Sequence, residues 1–483
     1  MPYSVPLGSE PSMSERVERV HLVAVCGVGM APLAVMLKER GITVTGCDRA
    51  AFAPMSDVLA QAGIEIAQGF SPGHLDESQP DLVVIGNAIP ATNEEAAEVE
   101  RRGLRRWSFP ETVSRLFLEG REPLVVAGTH GKTTTTGMLA RSLEVAGTDP
   151  GYLVGGLVRD LGRFAREGSG RFFVIEGDEY DSAYFDKRPK FVHYRPSAAI
   201  VTSIEFDHAD IYRDLDHVKQ AFRALAEQLP EGAPLVGCAD SAEVGRTIEH
   251  VGRGRFVSYG LREGRWRAAA IDCGTDATRF DILYGGSIER RGMRLAVPGR
   301  MNVANALAVY ALCRELGVAG EAVAEALATF RGAARRQEVV GEASGVVVID
   351  DFAHHPTAVA ATLEALRERF EGRRLWAVFE PRSNTSRRAV FQQRYAEALA
   401  AADCVAVSAV YQKPNDPLAA EEMLSTDRLV SDLVRSGRTA WCADGPEAIL
   451  ERLPGELRAG DVVVCMSNGA FGDLPRRLLA ALA

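Results

Sequence analysis

The chain has 483 residues, of which 46% are apolar and 25% charged, and its formal net charge is −10. This composition is typical of a globular protein with room for about three domains of ~150 residues each. The acidic balance argues against nucleic acid as a partner, because contact with phosphates requires a basic surface. No apolar run approaches the ~20 residues of a membrane-spanning helix, so no membrane partner is predicted.

The eight cysteines are scattered, with no C-x-x-C motif and no zinc-type spacing, and most lie in apolar runs. They are therefore predicted to be small core residues in a reducing compartment. The N-terminus has no pattern of a signal peptide, and the predicted location is cytoplasmic. Nothing in the sequence indicates the oligomeric state.

The first predicted element is a β-α-β unit. An apolar strand over residues 21–26 runs into Gly27-Val28-Gly29-Met30 and a helix, and a second strand ends at Asp48. The two glycines allow a diphosphate to approach the helix N-terminus, and Asp48 is placed to bind a ribose or a base. A third glycine near Pro32 is missing, which disfavours an NAD-dependent oxidoreductase. With further strands at 81–86 and 104–107, a Rossmann-like domain is predicted over residues 19–121.

The next segment opens with an apolar strand that enters a glycine-rich turn and then a helix. The backbone N–H groups of such a turn bind phosphate, its lysine reaches the β- and γ-phosphates, and the following hydroxyl can bind Mg²⁺. The full G-x-x-x-x-G-K-[ST] pattern is incomplete, because Val126 stands at the first glycine position. The turn predicts a site for ATP that consists of Gly128, Thr129, His130, Gly131, Lys132, Thr133 and Thr134.

Two later strands of this segment end in acidic residues. Glu176, Asp178 and Glu179 come at or just after a strand over residues 171–176, and Asp207 and His208 follow a strand over 198–202. Carboxylates and a histidine at the carboxyl ends of parallel strands can hold Mg²⁺ in the ligand crevice. A solvated acidic turn and a structural histidine are the alternatives, and the choice among the three carboxylates stays open.

Asn302 and Asn305 lie three residues apart at the start of an alanine-rich helix, and so on one face of it. Their amides suit the edge of an adenine, although Asn302 could equally cap the helix. The central segment is predicted to span residues 122–333.

The third segment, residues 334–483, has strands at 345–350, 374–379, 404–407 and 461–466 that alternate with helical stretches. This alternation predicts a second Rossmann-like domain. Polar strings again follow the strands, and with Arg335 and Arg336 they would surround a phosphate and a carboxylated substrate. The residues in these strings are Asp350, Asp351, His354, His355, Arg382, Ser383, Asn384 and Thr385.

Six of these motifs, taken in order, resemble those of the Mur ligase superfamily, and the resemblance covers nearly the whole chain. It implies an α/β fold of three domains: an N-terminal Rossmann-like domain, a central ATPase sheet of the P-loop type and a C-terminal Rossmann-like domain. The motifs are Gly27 to Met30, Gly128 to Thr134, Asp178-Glu179, Asp207-His208, Gly299 to Asn305 and Asp350 to Thr357.

The resemblance also implies a reaction. In this family a carboxylate of UDP-N-acetylmuramate attacks the γ-phosphate of ATP, and an amine then displaces phosphate from the acyl phosphate to form an amide. Lys132, Glu179 and His208 would be catalytic, and Thr133, Glu179 and His208 would hold Mg²⁺. Asn302, Asn305, Arg336 and Asp351 would join the phosphate turn in binding ATP. The substrate-binding residues would be Gly27, Gly29, Met30, Asp48, Asn87, His355, Arg382, Ser383, Asn384 and Thr385.

Within the superfamily, several strings resemble the branch whose amine substrate is the tripeptide L-alanyl-γ-D-glutamyl-meso-diaminopimelate. The alternative branch uses free L-alanine. The chain also departs from the family: Met301 replaces a histidine found in many relatives, Lys219 is the only lysine near the place of a carbamylated one, and Pro414–Pro417 is not the D-N-P-R string of the diaminopimelate-adding branch. A non-catalytic protein that binds a UDP-sugar is a further alternative.

Overall fold

The computed structural model describes residues 17–274, 276–412 and 418–483, so the Pro414–Pro417 string lies outside the described residues. Three sheets follow one another along the chain, each with helices packed against it. This confirms the predicted three-domain α/β fold. Among the described residues, no helix combines the length and the apolarity that crossing a membrane requires.

The first sheet has five parallel strands in the order β3-β2-β1-β4-β5. Side chains alternate along β1, so that Leu22 packs on one face of the sheet and Val23 on the other. The elements are β1 (Arg19–Val23), α1 (Met30–Glu39), β2 (Thr43–Asp48), α2 (Met55–Gln61), β3 (Ile66–Gln68), α3 (Gly73–Ser78), β4 (Leu82–Ile85), α4 (Glu94–Arg102), β5 (Arg106–Ser108) and α5 (Phe109–Val113), followed by a π-helical turn at Ser114–Leu118.

The second sheet has ten strands in the order β17-β16-β15-β14-β13-β12-β6-β9-β7-β8. Its strands are β6 (Glu122–Ala127), β7 (Gly151–Leu153), β8 (Ala165–Arg166), β9 (Phe172–Gly177), β12 (Ala198–Val201), β13 (Pro234–Cys238), β14 (Arg255–Gly260), β15 (Trp266–Cys273), β16 (Thr278–Tyr284) and β17 (Ser287–Leu295), and a separate hairpin comprises β10 (Asp181–Ala183) and β11 (Asp186–Pro189). The helices are α6 (Lys132–Val145), α7 (Leu215–Glu227), α8 (Ala242–Ile248), α9 (Arg300–Glu315) and α10 (Gly320–Thr329).

The position of β6 in this sheet determines the geometry of the site. It lies between β9 and β12 and runs parallel to both, with Val126 opposite Glu176 on one side and Ile200 on the other. The carboxyl ends of the three strands therefore meet at one edge. The phosphate turn and the two acidic strings follow these strands, so the fold brings all three together.

The third sheet has six strands in the order β18-β19-β23-β20-β21-β22, and all but β18 are parallel. The elements are β18 (Glu338–Ala343), β19 (Val346–Asp351), α11 (Pro356–Arg369), β20 (Leu375–Phe379), α12 (Gln392–Leu399), β21 (Cys404–Ser408), α13 (Thr426–Arg435), β22 (Thr439–Ala443), α14 (Pro446–Arg452), β23 (Val462–Met466) and α15 (Leu474–Leu482). Short 3-10 turns occur at Lys190–His193, Ala389–Phe391, Ala420–Glu422, Leu453–Gly455 and Phe471–Asp473.

Candidate active site

A cavity of about 1690 Å³ lies among the three sheets. Residues from every segment line it, including Gly29 and Phe109 from the first, Lys132 from the second, and Asp351 from the third. A protein pocket for one small ligand usually has about 300–1,000 Å³, so this cavity is large enough for more than one substrate.

The phosphate turn joins β6 to α6 at the edge of this cavity. Gly128 has φ +130°, and a Cβ there would lie 2.1 Å from Oγ1 of Thr202. Gly131 has φ +80°, and its Cβ would lie 2.8 Å from Oδ1 of Asn305. No side chain caps the N-terminus of α6. No side chain therefore competes with an anion for the first backbone N–H groups of this helix.

Lys132, Glu179 and His208 form a continuous chain of contacts. Nζ of Lys132 lies 2.9 Å from Oε2 of Glu179 and 2.6 Å from the carbonyl oxygen of Gly128. Nε2 of His208 lies 3.2 Å from Oε1 of Glu179, whose side chain is only 2% exposed. Burial acts to lower the pKa of His208, but the hydrogen bond and charge of Glu179 raise it to about 9. One buried carboxylate therefore sits between two cationic groups at the phosphate turn.

Glu176 faces the other side of the turn. The hydroxyl of Thr133 donates to its Oε2 at 3.3 Å, and the N–H of Gly155 donates to its Oε1 at 2.6 Å. Burial and the nearby charge of Asp178 raise the pKa of Glu176 to about 7. Glu176 and Glu179 thus contact different partners, Thr133 and Lys132, and of the two only Glu176 lines the cavity.

Lys190 was given no role in the sequence analysis, but it belongs to the site. Its Nζ lies 3.0 Å from Oδ2 of Asp178 and 3.0 Å from the hydroxyl of Tyr180, whose ring packs against that of His208. Lys190 contacts both the main cavity and a smaller one beside it. The sequence signal was the string from Lys190 to Tyr194, one of those that resemble the tripeptide branch, which begins directly after β11.

The residues predicted to contact adenine and phosphate also line the cavity. Nδ2 of Asn302 donates to the carbonyl of Pro298 at 2.7 Å, and Nδ2 of Asn305 donates to Oδ1 of Asn302 at 3.4 Å. Asn302 therefore closes the turn before α9 but does not cap the helix, whose N-cap is Gly299 without a side-chain hydrogen bond, and both asparagines also line the cavity. Nη2 of Arg336 donates to Oγ1 of Thr133 at 3.3 Å, so this arginine reaches the phosphate turn.

Asp351 lines the cavity but is 3% exposed, and it accepts the N–H groups of Gln337 and Ala353, each at 2.7 Å. These bonds tie down the connection between the second and third sheets. In this structure the side chain of Asp351 positions the backbone next to Arg336.

The smaller cavity, of about 160 Å³, lies at the first predicted turn. Gly27, Gly29, Met30 and Asn87 line it, together with Phe109. Asp48 does not contact either cavity. Its Oδ2 accepts the N–H of Cys26 at 2.9 Å, so Asp48 stabilises the turn that follows β1. The predicted contact of Asp48 with a ribose or a base is not displayed in this arrangement.

The predicted substrate-binding string of the third segment lies mainly at the contact with the second segment. Thr385 donates to Oδ1 of Asp207, and Nδ2 of Asn384 donates to Oδ2 of Asp210 at 2.6 Å. None of Arg382, Ser383, Asn384, Thr385 and His355 lines the two cavities. That these five residues contact a substrate stays a prediction, because none of them faces either cavity in this structure.

His355 is fully buried at the same contact. Its Nε2 lies 3.3 Å from the carbonyl oxygen of Phe206, and its ring packs on that of His130. Burial and the proximity of His130 lower the pKa of His355 to about 3. Its ring is therefore neutral and can donate Nε2–H to Phe206. Lys219 lies outside the two cavities, 2.6 Å from Oε2 of Glu243.

Three domain families match the chain in sequence. They are the "Mur ligase family, catalytic domain" over residues 19–120, the "Mur ligase middle domain" over 126–313 and the "Mur ligase, glutamate ligase domain" over 335–469. The chain is 38% identical, over 96% of its length and 98% of the relative's, to the UDP-N-acetylmuramate–L-alanyl-gamma-D-glutamyl-meso-2,6-diaminoheptandioate ligase of Escherichia coli K12. It is 39% identical, over 99% of both chains, to a UDP-N-acetylmuramate–L-alanine ligase of Kineococcus radiotolerans.

Solved structures give the same result. A murein peptide ligase from Psychrobacter arcticus superposes with a TM-score of 0.73 at 33% identity, over 96% of this chain and 98% of the other. The UDP-N-acetylmuramate-alanine ligase of Thermotoga maritima superposes with a TM-score of 0.79 at 25% identity, over 96% and 99%. The chain therefore belongs to the Mur ligase family. It is an ATP-dependent ligase that forms amide bonds.

Proposed function

We propose that this ligase joins L-alanyl-γ-D-glutamyl-meso-diaminopimelate to UDP-N-acetylmuramate and converts ATP to ADP and phosphate. The observation that supports a ligase reaction is the series of side-chain contacts from Lys132 through Glu179 to His208 at the phosphate turn. The choice of a tripeptide is supported by the E. coli relative, whose name contains that peptide, and by its near-complete coverage of both chains. The product would return salvaged peptide to cell-wall synthesis.

In the proposed reaction, the sugar carboxylate attacks the γ-phosphorus, ADP departs, and the peptide amine then displaces phosphate from the acyl phosphate. Both steps develop negative charge on phosphate oxygens. The ammonium of Lys132 and the N–H groups at the start of α6 would stabilise that charge. Arg336, 3.3 Å from Thr133, would add a third positive group from the connection to the last domain.

The residues at the turn fit a magnesium ion. Mg²⁺ prefers oxygen ligands. The hydroxyl of Thr133 and the carboxylate of Glu176 provide them in the lining of the cavity, and the carboxylate of Glu179 would add another from its buried position next to Lys132 and His208. When bound, Mg²⁺ would offset the charge of the phosphate groups and of the substrate carboxylate. The ammonium of Lys132 now contacts Glu179, and we expect it to turn toward phosphate when ATP is present.

We assign a substrate to each segment. Residues 19–121 would hold the UDP-sugar, because the small cavity at Gly27 and Gly29 adjoins the main one and shares Phe109 and Lys190 with it. Residues 122–333 would bind ATP, and residues 334–483 the peptide. The string from Arg382 to Thr385 would support the peptide site through its contacts with the Asp207 loop.

Free L-alanine is the second candidate for the amine substrate. It is favoured by the 39% identity to the Kineococcus L-alanine ligase and by the TM-score of 0.79 to the Thermotoga enzyme. The two candidates share ATP, UDP-N-acetylmuramate and the acyl phosphate, and they differ only in the amine.

Phosphate release from ATP tests both candidates in one assay. The purified chain is incubated with Mg²⁺, ATP and UDP-N-acetylmuramate, and then with the tripeptide or with L-alanine in parallel. We expect release only when sugar and tripeptide are both present, with none from a Lys132→Met variant. Preference for L-alanine would replace the tripeptide assignment, and ATP-independent binding of the sugar with no turnover would overturn the ligase assignment.

A further inference from the structure

Four side chains with metal-binding atoms meet inside the first domain, apart from the catalytic cavity. They are His21 from β1, Cys47 from β2, His74 from α3 and Glu95 from α4. One nitrogen, sulfur or oxygen atom from each lies within 4.8 Å of the corresponding atoms of the other three. His21, Cys47 and Glu95 are at most 1% exposed, and only the side chain of His74 reaches solvent, at 15%. We call these four residues the His21 cluster.

The carboxylate of Glu95 is the centre of the His21 cluster. Its Oε2 lies 3.1 Å from Sγ of Cys47 and 3.1 Å from Nδ1 of His74, and its Oε1 lies 2.7 Å from Nε2 of His21. Despite that short distance, neither Nε2 of His21 nor Oε1 of Glu95 makes a hydrogen bond of acceptable geometry. Buried polar atoms without a well-directed hydrogen bond call for an explanation, and an ion bound by both atoms is one.

Neighbouring groups hold the cluster in place. Nδ1 of His21 lies 2.8 Å from the hydroxyl of Thr45, which directs Nε2 of the same ring toward Glu95. The backbone N–H of Ser71 donates to Oε2 of Glu95 at 3.1 Å. Metal-binding histidines and carboxylates are usually oriented by such second hydrogen bonds.

We propose that the His21 cluster is a binding site for a divalent transition-metal ion of the zinc type. Two imidazoles, one thiolate and one carboxylate are a donor set that suits a four-coordinate zinc ion. The thiolate and the carboxylate carry two negative charges, so the loaded site would be neutral, as deep burial requires. The ion would join β1 and β2 to α3 and α4.

Loading the site exchanges a proton for the ion. Burial and the charge of Glu95 raise the pKa of the Cys47 thiol well above its usual value, so without metal the thiol is protonated. On binding, the S–H bond breaks, the proton leaves to solvent, and sulfur bonds to the metal. The sequence concealed this site, because its residues lie on four separate elements and follow no zinc-type spacing.

Cobalt(II) is the probe that tests the proposal, because a cobalt–thiolate bond gives a charge-transfer absorption that oxygen and nitrogen ligands do not. The full-length chain is stripped of metal and titrated with Co²⁺ in the presence of excess Mg²⁺. We expect the absorption to saturate at one equivalent and to disappear when Zn²⁺ is added. No thiolate band in the wild-type protein would overturn the proposal, whatever the variants do.

Two variants locate the band. Cys47→Ser should abolish it, whereas Cys26→Ser should leave it unchanged, because Cys26 lies in the same domain but beside Asp48 instead of the cluster. His74→Gln alters the most exposed ligand, and competition with a chelator should show at least about tenfold weaker binding of Zn²⁺. Equal bands from Cys47→Ser and Cys26→Ser, or unchanged affinity in His74→Gln, would contradict the assignment.

Discussion

Removing the hydroxyl of Thr385 should weaken catalysis without changing either domain that it joins. Thr385, which follows β20, donates to Oδ1 of Asp207, and the backbone N–H of His208 donates to Oγ1 of Thr385 at 3.2 Å. Both Thr385 and Asp207 are buried. This contact therefore connects the third domain to the loop that carries the predicted metal ligand His208.

The expected loss follows from the groups left behind in Thr385→Val. Valine keeps the shape of threonine, and the N–H of His208 retains Oδ1 of Asp207 at 2.7 Å. What is lost is a hydrogen bond to a buried carboxylate, which contributes about 1.5–3 kcal/mol. Because the bond crosses the domain contact, that free energy is lost from the assembled arrangement. At about 1.4 kcal/mol per factor of ten, kcat/KM should fall about 10- to 150-fold.

Phosphate release in the presence of UDP-N-acetylmuramate and the tripeptide measures this loss, and circular dichroism checks that the variant is folded. Thr385→Ser is the matched control, since it keeps the hydroxyl, and its kcat/KM should stay close to that of the wild-type protein. Wild-type activity in Thr385→Val would refute the reasoning. Equal impairment of the serine variant would show that packing of the methyl group, instead of the hydrogen bond, is what matters.

Three further predictions concern the same site. Lys132→Met should lower kcat by at least about 10³-fold in the phosphate-release assay, because it removes the positive charge at the transferred phosphoryl group, and residual activity near the wild-type level would contradict that role. Gly131→Ala should raise KM for ATP at least about tenfold, because the new Cβ would lie 2.8 Å from Asn305. The left-handed backbone, with φ of +80°, adds a strain of about 1–2 kcal/mol. Gly147→Ala is the control, since Gly147 has a similar φ of +72° but its Cβ would have no atom within 4 Å. The pKa of His355 falls from 6.5 to about 3 on folding, so the unfolded chain binds more protons than the folded protein between those pH values. As far as His355 is concerned, the free energy of unfolding is therefore highest above about pH 6.5 and declines as the pH falls below that value. The free energy of unfolding of His355→Gln, measured by urea titration, should therefore decline less steeply than that of the wild-type protein as pH falls from 6.5 toward 4, by up to about 1.4 kcal/mol per pH unit. Parallel declines would exclude His355 as the cause.

The parallel α/β parts of the fold could be predicted because their signals are local. The buried strands β6, β9 and β12 are short apolar runs, and β9 and β12 lie within one residue of the predicted bounds 171–176 and 198–202. One general rule, that the carboxyl ends of parallel strands share an edge, then placed Lys132 and Glu179 together. The contact at 2.9 Å is a consequence of that rule.

The antiparallel extension of the central sheet was not predicted. In β17 most side chains are exposed or half-buried, and charged residues such as Arg290 and Arg294 interrupt any apolar run. Strands of this kind are stabilised by their neighbours along the hairpin, with Phe280 opposite Met293 as one buried pair. A local reading of hydrophobicity cannot detect them.

Contacts between the domains were equally hidden from the sequence. His355 and Thr385 were read as substrate-binding residues because each follows a strand, a position that often faces a ligand. In the structure both side chains contact the segment from Phe206 to His208, far away along the chain. The strand-end rule says that such residues lie at an active edge, but it cannot say whether a substrate or another domain fills that edge.

The position of Arg336 shows most clearly what only the assembled structure reveals. Its neighbours Arg335 and Gln337 have φ of +57° and +49°, a conformation that is uncommon outside glycine and that no residue preference would predict here. The strain is offset because Glu338 accepts the N–H of Arg335 and Asp351 accepts that of Gln337, both at 2.7 Å. These two bonds turn the connection so that Arg336 reaches Thr133. The third domain therefore shapes the predicted ATP site through the backbone that connects the second and third sheets. Substitution of Asp351 should weaken ATP binding, because Arg336 would be displaced from Thr133.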